Sequence, residues 1–89
     1  MHRRQWLAAY EKLVLLSDEY SQRIATCKEI MEVVIGGVYG SQVNWHKETL
    51  SEVISAILDI HYSLELKLRL IEAEKAFLAR LIDRNRENH

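Results

Sequence analysis

Apolar residues recur every three or four positions along this chain, with a single interruption. Trp6, Tyr10, Leu13, Ser17, Tyr20, Ile24, Cys27, Met31 and Val34 step by four and three without a slip. That is the spacing of one helical face and of a heptad seam. Ser17 is its one polar member. The pattern predicts a helix over about 4–35, roughly 48 Å long at 1.5 Å per residue. A second stripe runs Leu50, Ile54, Ile57, His61, Leu64, Leu68, Ile71, then Leu78 and Ile82, widened by Val53 and Ile60. It predicts a helix over about 44–86, roughly 64 Å long. Charge suits this direction: Glu48 and Glu52 stand near the start, and Arg80, Arg84 and Arg86 near the end, complementing the helix dipole. Asn44 is a candidate N-cap, and Thr49-Leu50-Ser51-Glu52 offers a capping-box start one turn later. Val33-Val34-Ile35 is β-branched but continues the helical stripe, so it is not read as a strand.

The interruption is the segment from Met31 to Trp45, which holds all three glycines, Gly36, Gly37 and Gly40. A phosphate-binding P-loop needs a preceding strand and a lysine and hydroxyl residue after its last glycine. Here a helical stripe precedes, and Ser41-Gln42 follows. The dinucleotide fingerprint fails on spacing and context alike. Glycine at a helix C-terminus adopts positive φ and lets trailing carbonyls be satisfied, so residues of about 36–43 are expected to form a turn. The architecture predicted is all-α: one domain over residues 1–89, an antiparallel hairpin of two long helices, assembling into a four-helix bundle as a homodimer.

A chain reversing near Gly40 would set Ile35 beside Trp45 and Trp6 beside about Glu74. The last turns of the second helix would then project beyond the first. Composition points to the same region. Opposite the main stripe, the second helix is polar through Glu52, Ser55, Asp59 and Ser63, and then apolar through Leu66, Leu70, Ala73, Phe77 and Leu81. One partner helix covers one side only. Four large side chains left in water forgo very roughly 6–12 kcal/mol of burial, and such patches mark interfaces. Leu66, Leu70, Ala73, Phe77, Leu78, Leu81 and Ile82 are therefore the expected partner-binding residues, taking a partner's amphipathic helix or a second copy of the chain.

With 89 residues there is room for one domain, and the mix of 48% hydrophobic and 28% charged residues is that of a folded chain. A formal net charge of −1 argues against a nucleic-acid wrapper or an anionic-membrane binder. Basic groups at both ends, His2-Arg3-Arg4 and Arg80 to Arg86, read as solvated termini. The lone Cys27 excludes an internal disulfide framework and a cysteine zinc cluster. No apolar run reaches the length of a signal-peptide core or a membrane span, so a reducing, cytoplasmic setting is expected.

Candidate chemistry is sparse. His61 lies on the seam with Glu65 one turn later, but residue 58 is leucine, so the Glu-x-x-His pair of a di-metal bundle is missing. His61 is read as a hydrogen-bonded interior histidine. His46 sits at the start of the second helix, and His2 and His89 are terminal. Cys27 reads as a small hydrophobe, with no base to activate it. Intertwined helical chorismate mutases are similar in size, and Leu16 to Arg23 resembles their first helix. A site for two carboxylates needs inward Arg and Lys at fixed spacing; three turns beyond Arg23 stands Val34. No cofactor, metal or catalytic residue is assigned.

Two segments, Leu7-Ala8-Ala9-Tyr10-Glu11-Lys12-Leu13-Val14-Leu15-Leu16-Ser17 and Ile54-Ser55-Ala56-Ile57-Leu58-Asp59-Ile60, resemble the opening helix and a later helix of bacterial flagellar type III export chaperones (FliT-like). The resemblance covers about a fifth of the chain. It implies a helical chaperone that holds an aggregation-prone export substrate on an apolar helix surface. The chain is shorter than that family, has Trp45 in Asn-Trp-His-Lys rather than in an acidic-Trp-acidic element, and carries His61 about where an acidic residue is expected. The function expected is thus a non-enzymatic helical interaction module, an export chaperone or adaptor. The alternative is a purely self-associating four-helix dimer, and a small helical enzyme is the remote one. The expected partners are another protein or the chain itself.

Overall fold

A computed structural model describes the chain over residues 2–87, with side chains through Arg84; Arg86 as a charge at the helix end and His89 lie outside the described side chains. Two helices, α1 (His2–Gly40) and α2 (Lys47–Glu87), pack against each other as an antiparallel hairpin. No strand occurs among the described residues. The rod measures 69 × 18 × 16 Å.

Both seams lie where the spacing put them. Every member of the α1 stripe from Trp6 to Val34 is buried or half-buried, and so is every member of the α2 stripe from Leu50 to Ile82. The gap in the second stripe is filled by Lys75, also half-buried. Its aliphatic stem lies along the seam while its amine reaches Glu72 at 3.4 Å. Val53 and Ile60, expected to widen the stripe, are exposed instead.

The helix ends differ from expectation. α1 does not stop at Ile35: it runs through Gly36 and Gly37 to Gly40, and no described glycine has a positive φ. A glycine inside a helix costs about 1 kcal/mol relative to alanine. Continuing the helix carries Val38 onto the seam, half-buried at the level of Leu50, and that packing offsets the weak propensity. The reversal is made by the six residues between the helices, where the Val43 N–H donates to Ser41 Oγ at 3.0 Å. Nor do Asn44 or Thr49 cap α2. His46 does: the Thr49 N–H donates to its Nδ1 at 3.3 Å, and the Leu50 N–H donates to its carbonyl at 3.0 Å. These are the side-chain and backbone bonds of an N-cap.

The later turn changes the register. α1 and α2 have 39 and 41 residues, so no long overhang exists. Ser17 donates a hydrogen bond to Glu72, and Val34 and Val38 share a cavity with Leu50 and Val53. Stepping by heptads from these contacts sets Trp6 level with Ile82 and Tyr10 level with Leu78, rather than Trp6 with Glu74. Leu78 and Ile82, expected to project past α1, are seam residues opposite its first turns, and both are half-buried.

Candidate interaction surface

A two-helix rod has little interior. Among the described residues the buried apolar side chains are Leu13 and Ile24, 8% and 7% exposed. The accessible surface is 7424 Å², whereas a compact chain of 10.5 kDa exposes about 5,400 Å². The radius of gyration is 19.9 Å, against about 12 Å for a compact fold of this length. The rod thus exposes roughly 2,000 Å² more than a compact chain of its mass.

That surplus is not evenly polar. Of the residues expected at an interface, Leu66, Leu70, Ala73 and Phe77 are exposed, with Leu70 at 63% and Phe77 at 57%. Leu78, Leu81 and Ile82 are half-buried. The structure thus separates the seven into four that face water and three in or beside the seam. Leu70, Phe77 and Leu81 flank the seam on one side of α2, and Val53, Ala56 and Ile60 occupy the equivalent places two to four heptads nearer the loop, because heptad spacing returns to the same line every seven residues.

At the turn end this side opens into an apolar cavity of about 420 Å³, lined in part by Val33, Gly37, Val38, Trp45, Leu50 and Val53. Three things leave it open. Gly37 contributes no side chain, and a Cβ built there meets nothing within 4 Å. Val33 points outward at 74% exposure, and Trp45 lies in the connection, half exposed. Sequence reasoning missed this cavity because it took the glycine segment as a turn. The signal that could have found it is the run Val33-Val34 to Val38, which continues the seam through two glycines.

Polar groups on the seam are few and mostly bonded to one another. Ser17, 7% exposed, donates to the Glu72 carboxylate, which also receives Lys75 Nζ at 3.4 Å. The Ser17 hydroxyl, with Lys75 adding a smaller effect, holds the Glu72 carboxyl below its ordinary value of 4.5, against a smaller opposing desolvation. His61 is not the hydrogen-bonded interior histidine expected. Its Nε2 stands 3.5 Å from a Glu65 oxygen but has no hydrogen-bond partner among the described residues. Cys27 is a half-buried free thiol on the same seam. No group of three or more potential metal ligands occurs among the described residues, and no described helix is long and apolar enough to cross a membrane.

Comparison with protein-family models, curated proteins and solved structures finds no match to this chain.

Proposed function

We propose that this chain is a non-enzymatic helical interaction module that buries another amphipathic helix, or a pair of them, on the apolar side of its hairpin. The observation that carries this is the mismatch between interior and surface: two buried apolar side chains support a rod of 7424 Å². A domain of this size already sits near the limit of independent stability, and a single seam leaves Val53, Ile60, Leu70 and Phe77 in water. The mutual bonding of Ser17, Glu72 and Lys75 supports a structural use of the polar seam groups rather than a catalytic one. On this reading the chain acts as an adaptor or chaperone in the cytoplasm, with protein partners and neither nucleic acid nor membrane. A four-helix bundle is the natural completed form.

Light scattering and dye binding test this together. The wild-type chain is expected to show a mass above 10.5 kDa, or, where it is monomeric, to bind an apolar fluorescent dye strongly. The double change Leu70→Glu with Phe77→Glu should lower whichever signal is present. A wild-type monomer that binds no dye contradicts the assignment.

A further inference from the structure

Building on the interaction reading above, we infer that the occupant of the apolar side is a second copy of this chain, laid antiparallel, with Phe77 of each copy entering the turn-end cavity of the other. α2 carries two heptad seams. The first faces α1. The second, beside it, alternates with the same four-three spacing and is symmetric about residue 65: Val53 matches Phe77, Ala56 matches Glu74, Ile60 matches Leu70, and Ser63 matches Lys67. All eight are exposed. A two-fold axis lying between two stacked hairpins and crossing the rods near residue 65 brings each of these pairs together on opposing α2 helices, because an isologous contact sets residue i on j and j on i.

Val53–Phe77 and Ile60–Leu70 are apolar pairs, Ala56 leaves room beside Glu74, and the central Ser63–Lys67 pair is polar, whereas an unreversed line would set Lys67 on Lys67 and Glu74 on Glu74. Residue 65 lies within two positions of the α2 midpoint, about 3 Å along the axis, so the two rods overlap over nearly their full length. Val53 is a wall of the 420 Å³ cavity that also involves Gly37, Val33 and Trp45. The operation therefore delivers the Phe77 ring to an apolar cavity with room for it. On α1 the same axis matches Leu16 with Ile30 and sets the two Arg23 side chains near each other, with Glu19 of each copy one turn away as the opposite charge. The surplus of roughly 2,000 Å² per chain, doubled, falls in the range that obligate homodimers bury.

Single-cysteine chains test the geometry. In a Cys27→Ala background, one chain carries Ala56→Cys and another Glu74→Cys, both at exposed positions. Mixed and oxidised, they should yield predominantly the mixed disulfide dimer, with little of either chain bonded to itself. Separately, Phe77→Ala in the otherwise native chain should weaken dimerisation about a hundredfold or more, as a buried aromatic anchor does, read by sedimentation across a dilution series. Each cysteine variant bonding mainly to itself would mean a parallel dimer and would overturn the assignment. So would a monomeric wild-type chain, or an unchanged dimer in Phe77→Ala. A monomer that still binds an apolar dye would sink the self-pairing alone and leave the interaction reading standing.

Discussion

The two halves of the rod solve the problem of helix contact differently. Toward the free end, the seam closes: the buried residues Leu13 and Ser17 lie on this half of α1, with Ile24 within one turn of the helix midpoint, and the Ser17–Glu72–Lys75 group ties the helices in register. Toward the turn, the seam opens: beyond Ile24 no described residue is buried, Val33, Tyr39 and Val43 face water, and residues of both helices and the connection line a 420 Å³ apolar cavity. The closed half has a polar lock and large aliphatic residues. The open half has glycines and a six-residue connection. The lesson is that a two-helix hairpin can be held at one end by specific polar pairing while its other end keeps an unfilled apolar space.

The largest expected effect breaks the surface that both halves share. Leu70→Glu with Phe77→Glu should reduce the solution mass to that of one chain and, on dilution, reduce helix content with it; circular dichroism beside light scattering reads both. Next, Ile24→Ala removes a buried side chain from the middle of the rod, where the closed half ends, and should cost about 2–5 kcal/mol in denaturant unfolding. Val33→Ala in the open half, at 74% exposure, should change stability far less. At the turn, His46→Ala removes the acceptor of the Thr49 N–H and should cost about 1 kcal/mol, the usual value of an N-cap. In the opposite direction, Gly36→Ala should raise stability by about 0.5–1 kcal/mol, since the residue is helical and an added Cβ meets nothing within 4 Å. A destabilised Gly36→Ala protein would return the glycines to the turn.

The smallest effect sharpens the closed half through pH. Glu72 has a folded pKa below its ordinary value of 4.5. Its contribution is therefore fully present above that value and is lost as pH falls through the lowered folded one. Ser17→Ala removes the largest cause of the shift, so its stability should fall less than that of the wild type on acidification below pH 4.5. Equal slopes for the two proteins in thermal melts would show that the hydroxyl does not set the carboxyl.

The seams were legible because heptad spacing is a property of the chain itself: from Trp6 to Val34 and from Leu50 to Ile82, each spaced residue meets the other helix. Lys75 escaped because residue type outweighed position, although a lysine stem fills a seam as an aliphatic chain does. The helix ends were not legible. Gly36, Gly37 and Gly40 carry low propensity, but a favourable contact for Val38 overrides it, and such a tertiary gain is invisible in local sequence. Misplacing the turn shifted the register, and with it the imagined overhang of Leu78 and Ile82. The exposed leucines and Phe77 survived that error because their placement rested on the wheel of α2 alone. The matching Val53, Ile60 and cavity walls needed the true register to be seen as one side.

The claim at the centre is that the hairpin lacks a sufficient interior and completes it by association. The thermal midpoint across a hundredfold range of protein concentration tests this most directly, because binding to the folded state makes the midpoint concentration-dependent. The account predicts a midpoint that climbs steadily with concentration, alongside a mass above 10.5 kDa. A chain that unfolds cooperatively at one fixed temperature throughout, as a monomer of 10.5 kDa, would contradict it.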